Sequence, residues 1–420
     1  RRTNSLTATV AQLLEKLRDA DGGVRREAVK ALGQLAVKAD PTVTKALAER
    51  LADQSRLVRI AAVEALVQVS ARGDKAVVAD LLQMLKHEQW FARHAAASTL
   101  GRVVGKGDAE VVSGLVDALK DAREEVVQSV LAALGTVARR GDLTVVAALL
   151  GLLEAGGSWL TQQGIAQALA QVAEVGDARV AAALLAKLND PHEEVRRSAM
   201  TALPSIVERG DHRIVESLIT QIALVSDESI PGSGSAESRA ACATLLGQLA
   251  GEGAGCGGRN QDAIAVLLQC VRCNSESWLL RRASIESLSQ LTRRGDMEVV
   301  EALLPSIADE DTGVRLAAVN ALSAIAPKGH TETVGALLRL LDDGDGGERM
   351  PFLRKAAVQA LGCAASVGDG AVVRTLLARL SDPHDSVREA AADALKQVSE
   401  KGDESVVEAL LDDLLADDAR

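Results

Sequence analysis

Residues 184–211 read "LLAKLNDPHEEVRRSAMTALPSIVERGD", and residues 376–403 read "LLARLSDPHDSVREAAADALKQVSEKGD". The two stretches share Leu-Leu, Asp-Pro-His, Val-Arg and a closing basic-Gly-Asp at the same places. In each stretch, two segments with apolar residues at helical spacing flank a short polar turn. This pattern predicts a unit of two helices that recurs along the chain.

The closing aspartate measures how often the unit recurs. It, or a residue at its equivalent place, falls at Asp40, Asp74, Asp108, Asp142, Asp177, Asp211, Asp262, Asp296, His330, Asp369 and Asp403. Most steps between these positions are 34 residues, and the longer ones indicate insertions. Since no segment alternates with a period of two residues, we predict an all-α fold without a sheet. The expected architecture is an α-solenoid, a right-handed superhelix of about eleven two-helix repeats.

The sequence Arg-Gly-Asp occurs four times and also suggests a cell-adhesion motif. A helix boundary accounts for it better. Glycine adopts the left-handed conformation after a helix without strain, and aspartate is a preferred N-cap of the next helix. A basic residue in the last turn of the preceding helix would complement its negative end. We therefore interpret the tripeptide as the junction between two helices.

An arginine recurs 15 residues before most of the closing aspartates, and an aspartate often precedes it by six residues. We expect the two side chains to pair between neighbouring repeats and to form a structural ladder along the stack. Val127 and Gln162 interrupt the series. The arginines of this ladder are Arg25, Arg59, Arg93, Arg196, Arg239, Arg281, Arg315, Arg354 and Arg388.

These units resemble HEAT repeats, in particular the short Gly-Asp-linked repeats also found in phycobilin lyases. The resemblance rests on Asp190, Pro191, Val195 and Arg196 and on the matching residues Asp382, Pro383, Val387 and Arg388, and it covers essentially the whole chain. It implies a solenoid fold. A lyase-like activity on tetrapyrroles is one possibility that the resemblance raises.

We expect residues 1–420 to form a single solenoid and to be a fragment of a longer repeat array. The helix expected at 404–415 has no second helix after it in the sequence. Three segments rich in glycine, serine and acidic residues lengthen the repeat spacing, and we predict loop insertions at 226–238, 251–261 and 342–351.

Aromatic residues make up only 1% of the chain and recur at one place in the repeat. All three tryptophans stand three residues before the ladder position, and both phenylalanines follow one residue later. Other repeats carry polar residues there, so we predict an aromatic edge near the surface. It either packs the turn or anchors a partner. The candidate residues are Trp90, Phe91, Trp159, Trp278 and Phe352.

A second candidate row lies nine residues after the ladder position. It is expected either to line a groove that binds a protein or to be an ordinary solvated helix face. Its glutamines are Gln34, Gln68, Gln171, Gln248, Gln290 and Gln397.

The chain contains no strong catalytic or metal-binding motif. Cys270 and Cys273 have the spacing of a half zinc site, but both fall on apolar core positions, so core cysteines are the preferred interpretation. We expect no cofactor, no metal and no enzymatic activity.

The overall composition and charge argue against some classes of binding partner. A net charge of −11 argues against a general nucleic-acid binder, and no apolar run is long enough for a membrane span. Five cysteines do not form a disulfide framework, which favours an intracellular, cytoplasmic protein. An organelle is left open because the N-terminus looks truncated.

The expected function is a non-catalytic scaffold or adaptor. It would bind a protein through the groove or the aromatic edge, either alone or as part of a larger assembly or longer chain. Two alternatives are a phycobilin lyase-like protein or helper, and the regulatory arm of a larger enzyme.

Overall fold

The structure is a computed structural model that describes residues 2–36, 40–223, 235–250, 257–273, 275–342 and 350–400. Within these ranges it contains α-helices and short 3₁₀ segments, and no residue there lies in a β-strand. By its internal contacts the chain divides into an N-terminal unit, Arg1–Val207, and a C-terminal unit, Glu208–Arg420.

Six helix pairs form the N-terminal unit. The first helix of a pair is called its A helix and the second its B helix. In chain order the helices are α1 (Arg2–Lys16), α2 (Gly22–Leu35), α3 (Pro41–Glu49), α4 (Arg56–Val69), α5 (Lys75–Met84), α6 (Trp90–Val103), α7 (Ala109–Ala118), α8 (Glu124–Val137), α9 (Leu143–Ala155), α10 (Trp159–Val172), α11 (Ala178–Lys187) and α12 (Glu193–Ala202).

Five helix pairs form the described part of the C-terminal unit. They are α13 (His212–Ala223), α14 (Ala236–Leu249), α15 (Gly257–Arg272), α16 (Trp278–Leu291), α17 (Met297–Leu303), α18 (Thr312–Ile325), α19 (Thr331–Asp342), α20 (Pro351–Ala364), α21 (Gly370–Arg379) and α22 (Asp385–Val398). The described residues thus contain eleven pairs, as the repeat count predicts. The helix expected at 404–415 lies outside the described residues.

Within each unit, a helix contacts its partner in the pair and the helix of the same kind in the next pair. B helices follow one another as α2, α4, α6, α8, α10 and α12 in the first unit, and as α14, α16, α18, α20 and α22 in the second. Each pair therefore covers its apolar side with its neighbours. This is the all-α solenoid arrangement that the sequence predicts.

One leucine recurs in every B helix, or directly after it in the case of α12, and marks the core. It stands seven residues after the ladder position and is fully buried in all eleven pairs, where each such side chain contributes about 1.5–3 kcal/mol. These residues are Leu32, Leu66, Leu100, Leu134, Leu169, Leu203, Leu246, Leu288, Leu322, Leu361 and Leu395. The core consists mainly of Ala, Val, Leu and Ile side chains, which let neighbouring B helices approach closely. A Cβ added at Gly33, for example, would lie 3.0 Å from the Cβ of Ala65.

The structure describes only some residues of the three predicted insertions, and most of these residues are helical. Helix α15 begins at Gly257, so residues 257–261 are helical rather than part of a loop, and Asp262 lies inside the helix instead of capping it. Residues 236–238 begin α14, residue 342 ends α19, and Pro351 begins α20. The other residues of the three insertions lie outside the described ranges, apart from Ser235 and Met350, which immediately precede α14 and α20.

Candidate functional site

The Gly-Asp junctions join consecutive pairs in two ways. The aspartate caps the next A helix. Asp142, for example, accepts hydrogen bonds from the amides of Thr144 and Val145 at 3.1 and 3.2 Å. The glycine has a positive φ, and its amide donates to the end of the B helix in the next pair. Gly141 does so to the carbonyl of Val172 at 2.7 Å. The junction is therefore a structural element, as interpreted from the sequence.

The basic residue of the junction lies elsewhere than expected. Helix α8 ends at Val137, so Arg140 follows the helix rather than forming part of its last turn. Its guanidinium donates to the carbonyl of Ala173 at 2.9 Å, and Arg294 donates to Ala326 at 3.0 Å. Ala173 and Ala326 are the C-caps of B helices in the next pair. The positive charge thus complements the negative end of a neighbouring helix, not of its own.

The Arg–Asp ladder forms where both residue types are present. Arg25, Arg93, Arg281 and Arg354 each pair with the aspartate 28 residues later, in the next repeat. The hydrogen bond from Arg93 is the main reason why the pKa of Asp121 lies below its usual value. The displaced Arg239 instead pairs with Glu276 at 2.7 Å.

The other ladder arginines bind their own turn. Arg196 and Arg388, for example, donate to the backbone carbonyls of Asp190 and Asp382, six residues earlier. The positions 28 residues after Arg196, Arg315 and Arg388 lie outside the described residues.

Both replacements of a ladder arginine are accompanied by a second change. Val127 takes the place of the arginine in α8, and Ala155 takes the place of the aspartate that would pair with it. Where Gln162 replaces the arginine, Lys187 donates to its Oε1 at 2.6 Å and lies 3.9 Å from Asp190. The charged pair is therefore absent in one case and replaced by a lysine bridge in the other.

All five aromatic residues stand at the first or second position of a B helix, and none is buried. In the N-terminal unit, Trp90 and Phe91 pack edge to face with ring centroids 6.0 Å apart, and Trp159 is 40% exposed. In the C-terminal unit, Trp278 is 44% and Phe352 is 79% exposed. The predicted surface position therefore holds for all five rings, whereas a binding role stays a prediction.

The six candidate glutamines are exposed on the B helices. Several of them lie over a glycine of the preceding B helix. A Cβ added at Gly33 would meet Gln68 Oε1 at 3.1 Å, and one at Gly135 would meet Gln171 Oε1 at 2.6 Å. The row thus helps to cover the contact between helices while its side chains remain open to solvent. Whether it lines a binding groove stays a prediction.

The cysteines differ from the sequence prediction at one position. Cys242 and Cys270 are buried, and burial raises the pKa of Cys242 to about 12. Cys273, predicted to lie in the core, is only half-buried because α15 ends one residue before it. Its Sγ lies 3.0 Å from Ser275 Oγ, and hydrogen bonding with Ser275 lowers the pKa of the thiol. Among the described residues, no three His, Cys, Asp or Glu side chains are grouped as metal ligands would be.

Sequence reasoning missed an exposed apolar pair on α4. Leu57 is 56% exposed and Ile60 is 46% exposed. A signal was available, because Leu57 occupies the repeat position of Phe91, one residue after the tryptophan position. Across the described part of the chain, no helix is long and apolar enough to cross a membrane.

Similar solved structures share the fold at low identity. The chain resembles Kap121p bound to RanGTP with a TM-score of 0.58 and 16% identity, covering 98% of this chain and 46% of that one. A second match is the karyopherin Kap121p bound to the SUMO protease Ulp1p, with a TM-score of 0.56, 16% identity and coverage of 98% and 46%. The Kap95:Nup1 complex matches with a TM-score of 0.55, 13% identity and coverage of 92% and 56%. The chain therefore spans about half the length of the solved chains it matches.

Sequence comparison identifies the repeat. Among curated proteins, no sequence matches this one. A family model described as HEAT repeats matches residues 3–67, 44–135, 264–351 and 348–420, which together make up more than half of the chain. The matched segments contain all of the ladder arginines except Arg196 and Arg239, which lie between residues 136 and 263. The chain belongs to the HEAT-repeat family.

Proposed function

We propose that the chain is a non-catalytic scaffold that binds a protein partner through the exposed side of its B helices. The observation that carries this proposal is the placement of the rings. All five aromatic residues stand at the surface, at the start of a B helix, while the core is built of small aliphatic side chains. Aromatic side chains contribute most to stability when buried, and tryptophan is enriched at the centres of protein interfaces.

The surrounding surface fits this role. On α10 and α16 an exposed glutamine follows the tryptophan by twelve positions, and the other four glutamines lie on B helices without a ring. The glutamines offer hydrogen-bond donors and acceptors along the stack. A solenoid repeats such a surface from pair to pair, so many individually weak contacts can add up along an extended partner. The solved karyopherin structures named above are also solenoids in complex with proteins, which is consistent with the proposal at the level of fold.

Site-specific photocrosslinking tests the proposal. A benzophenone amino acid would replace Trp159 in one variant and Phe352 in another, and the variants would be irradiated in the cells that produce the protein. The controls carry it at Leu143 and Val367, which are 68% and 60% exposed but lie at Gly-Asp junctions. We expect protein adducts at Trp159 or Phe352 that are absent at the control positions.

Absence of any adduct above the controls would contradict the proposal. The same experiment addresses the two alternatives raised by the sequence. A tetrapyrrole lyase would yield a chromophore-bearing acceptor protein. A regulatory arm would crosslink within one longer polypeptide.

A further inference from the structure

An exposed apolar patch lies on adjacent B helices of the N-terminal unit. Leu57 and Ile60 stand on the exposed side of α4, and Phe91 occupies the position of Leu57 on the next B helix, α6. The two helices are in contact. We call these three residues the α4 patch. In this patch, exposed aliphatic side chains near the start of one B helix lie beside a ring at the start of the next B helix.

The ladder is interrupted beside this patch, and a guanidinium is left without a carboxylate. The residue 28 positions after Arg59 is His87, whose Nδ1 accepts from the amide of Gln89 at 3.0 Å. Arg59 donates to two backbone carbonyls of its own turn and stacks 4.3 Å above the ring of Phe91. It forms no ion pair with any residue that the structure describes. Partial burial, with a smaller effect of the nearby Arg56, lowers the pKa of Arg59 although Asp53 opposes the shift.

The charges around the patch are mostly positive. The exposed sides of α2, α4 and α6 carry Arg26, Lys30, Arg56 and Arg102 in addition to Arg59. The acidic residues there are Glu27, which Arg26 and Lys30 share, and Glu64. This excess contrasts with the net charge of −11 for the whole chain.

The positive region ends at the next B helix. On α8, Glu124 and Glu125 occupy the positions that Trp90 and Phe91 hold on α6. The imidazole of His94, on the exposed side of α6, is affected by the charges of both Arg59 and Glu125. Burial and then the charge of Arg59 lower the pKa of its imidazole, and Glu125 opposes them. The positive surface is thus confined to the three B helices around the α4 patch.

We propose that the α4 patch binds a segment of a partner protein in which apolar side chains are flanked by aspartate or glutamate. The inference rests on the proposed scaffold function and names the chemistry of the partner. Apolar side chains would cover Leu57, Ile60 and Phe91, and a carboxylate of the partner would pair with Arg59, which faces His87 where the other rungs have an aspartate. Arginine stacked on a ring and lacking its carboxylate is well suited to such a bidentate contact.

Nucleic acid fits this surface less well. Its phosphates would also attract the arginines, but the exposed centre of the patch is aliphatic and offers no stacking platform apart from Phe91. The acidic surface of the chain as a whole would repel a long polyanion. A short acidic and apolar peptide matches both the charge and the apolar area.

Peptide selection tests the proposal with a defined probe. A random peptide library displayed on phage would be selected against the whole chain, and enriched peptides would be synthesised and measured by fluorescence anisotropy. We expect enrichment of sequences that combine Asp or Glu with Leu, Ile, Val or Phe. Their affinity should fall about tenfold for Arg56→Glu and for Leu57→Ser with Ile60→Ser.

The variants are chosen to fold. Arg56 is the first residue of α4, where an acidic residue is favourable to the helix, and Leu57 and Ile60 are exposed. Matched controls are Arg179→Glu and Leu143→Ser, which change exposed residues at the start of an A helix and should leave affinity unchanged.

Three outcomes would overturn the proposal. Enriched peptides could be basic or uncharged, they could bind the patch variants as tightly as the unmodified chain, or no peptide could be enriched. Tighter binding of a labelled single-stranded RNA than of the peptides, lost in Arg56→Glu, would instead identify a nucleic-acid surface. In each case the crosslinks at Trp159 and Phe352 still decide the scaffold function independently.

Discussion

Replacement of Arg354 by methionine should destabilise the C-terminal helix pairs by about 3 kcal/mol at neutral pH. Arg354 Nε and Nη2 donate to the two carboxylate oxygens of Asp382 at 2.8 and 2.9 Å. The two side chains are only 4% and 1% exposed, which makes this the most deeply buried rung among the described pairs. Methionine has a similar length but leaves Asp382 as a buried charge without its cation.

The expected magnitude follows from that geometry. Removing one partner of a buried ion pair costs about 3–5 kcal/mol. The lower end applies because Asp382 keeps a hydrogen bond from the amide of His384 at 3.0 Å. The control is Lys396→Met on the neighbouring surface of α22. Its pair with Asp393 is 66% and 71% exposed, so its loss should cost only about 0.3 kcal/mol.

The penalty should depend on pH. Burial tends to raise the pKa of Asp382, but the hydrogen bonds from Arg354 and the His384 amide outweigh it, so the pKa lies below the usual value. The stability from this pair is therefore complete above the unfolded-state pKa of about 3.9 and is lost as the pH falls through the folded-state value. Without Arg354, burial is opposed only by the hydrogen bond from the His384 amide and by the charge of Arg379, and protonation of Asp382 relieves the cost of burial. The cost of Arg354→Met should thus shrink between about pH 7 and pH 4.

Hydrogen exchange measured by mass spectrometry provides the assay, because a solenoid need not unfold in one step. Peptides from α20 and α22 report the local free energy of opening, and urea unfolding gives the overall change. The reasoning is refuted if Arg354→Met costs no more than Lys396→Met. It is also refuted if the penalty is the same at the two pH values.

Three further predictions concern the junctions and the thiols. Gly73→Ala should lower the free energy of unfolding in urea by about 1 kcal/mol, because φ of Gly73 is +74°. Gly151→Ala should raise it by about 0.5–1 kcal/mol, because Gly151 lies within α9 and has open space around it. A change of the same sign in both variants would contradict the argument. Asp142→Ala should cost about 1 kcal/mol in the same assay and Asp142→Asn much less, since only alanine removes the N-cap acceptor. Iodoacetamide at pH 8 should label Cys273 well before Cys242, whose thiol pKa is about 12; mass spectrometry of the folded protein showing the reverse order would contradict the assigned burial.

Several features of the fold could be predicted because their signals are local. Helical spacing, the capping aspartate and the buried leucine all act within one repeat, and repetition makes each of them visible many times. The pairing of Arg25 with Asp53 could also be predicted, because a solenoid brings the same positions of successive repeats together. The surface position of the five rings followed from the polar residues that other repeats carry there.

Other features depend on contacts between repeats that the spacing alone does not specify. The helical start of α15 replaced a predicted loop, because glycine-rich sequence there continues into a helix that packs on its neighbours. The junction arginines act on the next repeat's helix, which only the stacked structure shows.

The sequence by itself determined the repeat, the two helices in each repeat and the residues that hold them, because these depend on interactions within about 34 residues. Only the tertiary structure decided which charged side chain lacks an ion-pair partner among the residues that it describes. Arg59 carries the same motif as Arg93, yet it stacks on Phe91 instead of pairing, because the neighbouring repeat offers His87 in place of an aspartate. The bonding of a side chain in a stack therefore depends on the repeat beside it.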